Sequence, residues 1–306
     1  MPRFELTILG CGSAKPSLRH LPSSQVINVR ERLLMFDCGE GTQLEMMRRH
    51  IPFSRLRHIF ISHLHGDHCL GVVGLVSTLA LHDLQGKLVI HTFADGARLM
   101  GEQIDYYCHE RPFELEFNII GTKAETIFDD DAIEVTTIPL RHRVPAVGFL
   151  VREKPKSRHI NPVATAAHGV PHWAMRALKQ GEDFVDADGV VVPNSELTTD
   201  ADPSYSYAYC SDTRPSERVI EAVKGVDWLY HEATYADAEA DKALKHNHST
   251  ARQAAQVAAK AGVKQLIIGH YSSRYDDLTP LLEQARQEFP ATRLAHEGMV
   301  IDLNKP

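Results

Sequence analysis

His63-Leu64-His65-Gly66-Asp67-His68 comes directly after an apolar strand predicted over residues 58–62. It puts four metal-capable side chains within six residues at the end of a buried strand. In an extended segment, alternation places His63 and His65 on one side, and Gly66 allows a turn that brings Asp67 and His68 round to a second position. Imidazole and carboxylate together suit zinc and related divalent ions. A solvated polar turn does not account for so dense a cluster. One loop cannot complete a metal site, so further ligands are expected at other strand ends. His142 follows a strand predicted over 133–138, Asp212 follows one over 207–211, and His270 follows one over 266–269. Each stands just beyond an apolar strand, where α/β folds collect their sites. Any one of them alone reads as a loop residue. With the first cluster they make seven candidates, enough for two ions sharing a carboxylate.

Around these positions, strands are predicted over residues 4–9, 25–29, 33–36, 88–93, 113–120, 147–151 and 228–231, bounded by Gly, Pro or Ser. Helices are expected over 42–50, 69–82, 95–106, 216–223, 251–261 and 280–288. The helix over 251–261 has a capping-box start in Thr250 and Gln253, a small-residue face of alanines at 251, 254, 255, 258 and 261, and a stop at Gly262. This alternation is that of a layered α/β protein. The chain has 306 residues, 43 % hydrophobic and 24 % charged, which excludes a disordered chain and a disulfide-rich secreted scaffold. A net charge of −7 excludes a basic nucleic-acid module in bulk but not a local basic patch. The longest apolar run, residues 69–81, falls short of the roughly 18–20 residues that span a bilayer, and the N-terminal apolar run is too short for a signal peptide. Five scattered cysteines without a Cys-x-x-Cys pair fit a reducing cytoplasm. Of the 18 histidines, those at 20, 50, 82, 91, 159, 168 and 172 read as surface or packing residues. Asp37 follows a strand and begins a turn; a plain turn residue is the preferred reading over a hydrogen bond to a ligand histidine.

Seven strings in order along the chain resemble the metallo-β-lactamase superfamily and, within it, the short ribonuclease Z family. They are Leu9-Gly10-Cys11-Gly12-Ser13-Ala14-Lys15-Pro16, Phe36-Asp37-Cys38-Gly39-Glu40-Gly41-Thr42-Gln43, the His63–His68 motif, Tyr209-Cys210-Ser211-Asp212-Thr213-Arg214, His231-Glu232-Ala233-Thr234, His248-Ser249-Thr250 and Gly269-His270. The resemblance implies a four-layer αβ/βα sandwich forming one domain over residues 1–306. It implies two Zn2+ ions, one held by His63, His65 and His142, the other by Asp67, His68 and His270, with Asp212 bridging. It further implies a zinc-dependent endoribonuclease that removes the 3′ trailer from precursor tRNA, leaving a 3′-hydroxyl on the tRNA and a 5′-phosphate on the trailer. Asp67 would accept the proton of the attacking water, and His248, oriented by Glu232, would protonate the departing 3′-oxygen. By position alone, His248 reads equally well as a helix-start residue and Glu232 as a strand-end salt bridge.

Residues 152–205 carry turn residues and little periodicity, so a flexible inserted arm is expected there. Residues 152–180 have a net charge of +5, whereas 181–205 hold seven acids and no Lys or Arg. The resemblance makes this the arm that grips tRNA, commonly acting from the partner subunit of a homodimer, with Lys154, Lys156, Arg158, Arg176 and Lys179 on the phosphates. Trp173 could stack on RNA or form the arm's own small core. Two further readings stand beside this one: a hydrolase of small phosphodiesters with the same chemistry, and a catalytically silent metal- or RNA-binding protein. The presence of all seven ligand candidates with His248 and Glu232 argues against the silent form.

Overall fold

A computed structural model describes residues 3–82 and 84–306. Met1 and Pro2, the start of the segment read for a targeting signal and of the predicted domain, lie outside the described residues, as does Asp83. The described chain divides into two compact units, the segment Glu153–Ser204 and the remainder.

The larger unit is built on two seven-stranded sheets. The first runs, in spatial order, Val300–Asp302, Phe4–Gly10, Ser24–Val29, Arg32–Cys38, Leu56–Phe60, Lys87–Thr92 and Glu114–Ile119. The second runs Thr292–Leu294, Gln265–Gly269, Trp228–Glu232, Ser206–Cys210, Val147–Glu153, Ile133–Pro139 and Thr126–Asp129. Strand alternation sorts the apolar residues into layers. Leu6, Ile8, Leu34, Phe36 and Phe60 of the first sheet join Val135, Phe149, Val151, Tyr207 and Tyr230 of the second in one buried core. Met35, Ile59, Ile61, Leu88 and Ile90 point the other way, onto Leu75, Val76 and Leu79 of helix Val72–Leu81 and Met100 and Ile104 of helix Ala94–Tyr107. The second sheet is backed by helix Ala251–Ala261, whose five predicted alanines are all buried. These are the four layers expected of an αβ/βα sandwich. Arg32–Cys38, Leu56–Phe60 and Lys87–Thr92 of the first sheet run parallel, as do Ser206–Cys210, Trp228–Glu232 and Gln265–Gly269 of the second, so the C-terminal ends of each set lie together, whereas Ile133–Pro139, which leads towards His142, pairs antiparallel with Thr126–Asp129.

Two local expectations differ from the structure. Residues 69–82 were expected as one helix, but the chain forms Gly66–Cys69 and Val72–Leu81, with Gly71 between them. Gly71 donates its N–H to the Cys38 carbonyl at 2.9 Å, and a Cβ there would lie 2.1 Å from the Gly39 carbonyl oxygen. This docking to the end of a strand interrupts the helix. Gly66 accordingly begins a helix instead of making the free turn expected of it. The short edge strands Thr126–Asp129, Thr292–Leu294 and Val300–Asp302 have too few residues for a periodic signal.

The segment Glu153–Ser204 contains helices Pro162–Ala167, Met175–Lys179 and Asn194–Leu197 and two small strand pairs. Its core consists of Ala174, Leu178, Phe184, Val192 and Leu197. Asn194 ties the segment together, donating from Nδ2 to the Leu178 and Glu182 carbonyls, each at 2.8 Å. Trp173 is 78 % exposed and outside this core, which removes the reading of Trp173 as its centre. Among the described residues, no helix is long and apolar enough to cross a membrane, and all five cysteines are free thiols.

His91 is buried as expected of a packing residue, stacked on Phe60 with ring centroids 4.2 Å apart, and its Nε2 lies 3.1 Å from His58 Nδ1. Burial pushes His58 down to about 4 and His91 to about 3, and a charge on His58 would further lower His91. In the unfolded chain both titrate near 6.5. Between those values the unfolded state binds more protons, so stability is fully present above about pH 6.5 and falls as the pH drops towards 4. Between pH 7 and pH 5 the pair is expected to cost roughly 4 kcal/mol, at up to about 1.4 kcal/mol per pH unit per group. Denaturant unfolding at both pH values checks this. His91→Gln should reduce the loss between the two pH values by roughly half of this pair's share, and an equal loss in variant and wild type would contradict the assignment.

Candidate active site

The seven predicted ligands come together beyond the strand ends. His63, His65, His142 and Asp212 form one group and Asp67, His68 and His270 a second, with the ligand atoms of each group within 4.8 Å of one another. In the first, His63 Nε2 lies 3.0 Å from His65 Nδ1, and His142 Nε2 lies 3.4 Å from the same His65 atom. In the second, His68 Nε2 and His270 Nε2 are 3.3 Å apart, and each is 3.5 Å from Asp67 Oδ2. Asp212 stands between the groups. Its Oδ2 lies 3.5 Å from His63 Nε2 and 3.8 Å from His142 Nε2, and its Oδ1 lies 3.3 Å from His68 Nε2 and 3.1 Å from His270 Nε2.

The opposite nitrogens of four rings are held from behind. The His68 Nδ1–H donates to Asp37 Oδ2 at 2.7 Å, His142 Nδ1–H to the Asn247 carbonyl at 3.1 Å and His270 Nδ1–H to Thr234 Oγ1 at 2.9 Å. His63 Nδ1 faces Ser62 Oγ at 3.0 Å, and that hydroxyl donates to Asp37 Oδ2 at 2.8 Å. With Nδ1 committed outwards in each case, the four Nε2 atoms all turn inwards. With three carboxylate oxygens at 3.1–3.8 Å they make a converging donor set that a divalent cation would fit. The donor set is nitrogen and oxygen throughout, so it fits zinc and its neighbours. Burial pushes His63 down, and His65 and His142 to about 4, leaving them neutral as metal ligation requires.

Asp37 is the residue that sequence reasoning placed wrongly. It is fully buried, not a plain turn residue. Besides His68 and the Ser62 hydroxyl, it accepts from the Ser62 N–H at 2.7 Å and the Tyr209 hydroxyl at 2.7 Å. Its φ of 54° and that of His270, 61°, lie in the left-handed region that non-glycine residues enter at a cost. Ala14, with φ 65°, donates its N–H to Asp67 Oδ2 at 2.6 Å. The surrounding contacts thus hold strained backbone so that these groups face the site.

His248 and Glu232 lie alongside. His248 Nδ1 is 2.9 Å from Glu232 Oε1, and its Nε2 faces Asp212 Oδ2 at 3.9 Å. Glu232 is fully buried and also accepts the N–H groups of Thr213, Ser249 and Thr234 at 3.0–3.1 Å and the Thr234 hydroxyl at 2.7 Å. Burial alone would push the His248 imidazole down, but the Glu232 charge and hydrogen bond, with Asp212, hold it up at about 9. The predicted capping box fixes where the ring stands. Thr250 Oγ1 accepts the Gln253 N–H at 3.2 Å, and the Gln253 side chain accepts the Thr250 N–H at 3.0 Å, so the chain enters the helix immediately after His248-Ser249.

The five cations expected to bind RNA differ in availability. Lys156 Nζ is ion-paired with Glu153 at 2.8 Å, is 7 % exposed, and spends its charge inside its own segment. Arg158 pairs with Asp200 at 2.9 Å and donates to Thr198 Oγ1 at 2.8 Å. Lys154 is half-buried, whereas Arg176 and Lys179 are exposed.

Comparisons with known proteins complete the description. The chain is 49 % identical over 304 residues to a ribonuclease Z of Parabacteroides distasonis, covering 99 % of this chain and 100 % of the relative. It is 48 % identical over 305 residues to a ribonuclease Z of Bacteroides thetaiotaomicron, covering 99 % and 96 %. Among solved structures, the short form of human tRNase Z superposes with a TM-score of 0.71 at 24 % identity, over 98 % of this chain and 99 % of that one. The metallo-β-lactamase fold protein YhfI of Bacillus subtilis gives 0.68 at 16 % identity, over 98 % and 99 %. The family model described as anti-Pycsar protein Apyc1 matches residues 4–152.

Proposed function

The chain belongs to the ribonuclease Z family of endoribonucleases, and from that membership we propose that it removes the 3′ trailer of precursor tRNA by zinc-dependent, two-metal phosphodiester hydrolysis. The single observation that carries the two-metal reading is Asp212, with one carboxylate oxygen facing each histidine group. His63, His65 and His142 would hold one ion and Asp67, His68 and His270 the other, with Asp212 shared. When bound, such ions supply Lewis acidity to the phosphoryl group and to the attacking water.

The protein's own groups handle the protons. Burial would raise the Asp67 carboxyl, but the imidazoles of His270 and His68 hold it well below the usual carboxylate range, so it enters the reaction ionised. It accepts a proton from the attacking water as the new P–O bond forms. The bond from phosphorus to the 3′-oxygen breaks in line, and protonated His248 gives its proton to that oxygen. The products are a 3′-hydroxyl tRNA and a trailer bearing a 5′-phosphate. Glu232 keeps the His248 ring oriented and charged. Arg176 and Lys179 are the exposed cations of the inserted segment available to RNA phosphates. Homodimerisation and residence in the cytoplasm belong to the same reading, and five free thiols suit a reducing compartment.

The test is cleavage of a precursor tRNA carrying a 3′ trailer, with metal content measured on the same preparation. A single cut at the trailer junction is expected, lost in Asp67→Ala. Chelation should lower the rate by at least about 10²-fold, with zinc restoring it. A metal-loaded protein that leaves this RNA intact but hydrolyses a small phosphodiester would move the function to the second reading.

A further inference from the structure

His248 forms part of the wall of a cavity of about 320 Å³, together with Arg141, Arg214, Pro215, Leu244 and Gln253. Three of these residues, Arg141, Pro215 and Gln253, also line a larger cavity of about 610 Å³. The two therefore form one groove leading away from the proposed acid. The larger cavity adds Arg218 and Lys260, with Ile220 and Val257 as apolar wall. Among the described residues, none of the four cations Arg141, Arg214, Arg218 and Lys260 is in an ion pair. One acid, Glu217, stands among them. The contrast with the inserted segment is direct, since Lys156 and Arg158 there are already paired.

The groove is also firmly mounted. The Arg141 N–H donates to Thr213 Oγ1 at 3.0 Å and the Arg214 N–H to the Arg141 carbonyl at 3.1 Å, which zips together the loops carrying both arginines. Gln253 is fixed by the capping box that also sets His248. A row of unpaired cations over apolar wall suits a chain of phosphates whose sugars and bases lie against aliphatic carbon. It binds with strong salt dependence and little base selection.

We propose that this groove carries the RNA strand on the 5′ side of the cut, the acceptor end of the tRNA, and not the trailer. The inference rests on the reading of His248 as the acid. An acid must stand beside the oxygen that leaves, and in this reaction that oxygen is the 3′-oxygen of the tRNA. The nucleotides continuing from it enter the cavity that begins at His248. The trailer, which keeps the phosphorus, departs on the side of the attacking water.

The experiment compares wild type with the charge reversal Arg218→Glu/Lys260→Glu on a precursor tRNA, between about 50 and 200 mM salt. Both side chains are exposed, so the unfolding midpoint should not move. KM is expected to rise at least about tenfold with kcat within a factor of about three. The slope of log(kcat/KM) against log salt should fall by about 1.5, close to two phosphate contacts at roughly 0.7–0.9 each. A neutral methylphosphonate linkage is then placed either 5′ or 3′ of the junction. On the 5′ side it should weaken wild type but add little in the variant, and on the 3′ side the two losses should multiply. Unchanged KM and salt slope would overturn the groove assignment, and coupling on the 3′ side alone would overturn the strand assignment. A wild-type protein that leaves the precursor uncut would overturn the proposed function and this inference together.

Discussion

Asp212→Ala is expected to lower precursor cleavage by at least about 10³-fold and to cost the protein most of its bound metal. The loss should exceed that of a single transition-state donor, typically about 10²–10³-fold. The reason lies in how many groups this carboxylate serves. Buried to 2 % exposure, it faces His63 and His142 with one oxygen and His68 and His270 with the other. Burial alone would raise its pKa, but the surrounding imidazoles, His270 first, hold it well below the ordinary carboxylate value. Alanine therefore removes the negative charge on which both groups converge and leaves four inward-pointing nitrogens without it. Asp212→Asn separates shape from charge. It fills the same space but carries no negative charge for a cation held between the two groups, so it should fail nearly as badly as alanine. Metal content by mass spectrometry and cleavage on one preparation decide the point. Full metal loading with activity within tenfold of wild type would remove Asp212 from the centre of the site.

Much of this candidate site was legible in the sequence because the residues that come together in it follow strands. The histidine motif, His142, Asp212 and His270 each stand just beyond an apolar run, and strand ends at one edge of each sheet come together whatever the loops do. The supporting groups were not legible. Asp37 looks like a turn residue because it is followed by Cys38-Gly39, and only the packing of Tyr209 and Ser62 against it shows a buried acceptor. Thr234 was visible as part of His-Glu-Ala-Thr, but its hydroxyl links His270 to Glu232 through contacts across parallel strands, which carry no local pattern. Asn247 acts through its carbonyl, and no side-chain motif can report a backbone acceptor. The inserted segment was hard for another reason. Its helices and strands are two to six residues long, below the length at which periodicity is readable.

His248→Ala is expected to reduce precursor cleavage by about 10²–10⁴-fold, the range for loss of a general acid, while metal content stays close to wild type. Two contacts support that separation. The Nδ1 side of the ring is committed to Glu232 at 2.9 Å, and Nε2 stands 3.9 Å from Asp212, outside hydrogen-bond reach. The leaving group provides the sharper readout. A ribose 3′-oxygen must be protonated as it departs, whereas p-nitrophenolate leaves readily as an anion. The variant should therefore lose far less activity on bis-p-nitrophenyl phosphate than on the RNA. Glu232→Gln tests the coupling. It removes the charge that holds His248 up, and it sets an amide against three backbone N–H groups and a hydroxyl that all donate to the carboxylate. If Glu232 acts through His248, the double variant is no slower on RNA than His248→Ala alone, because residues working as a unit are not additive. Equal losses on both substrates would mean that His248 does not act as the acid. Loss of metal in His248→Ala would instead make it a ligand, a role its closeness to Asp212 and His270 also permits.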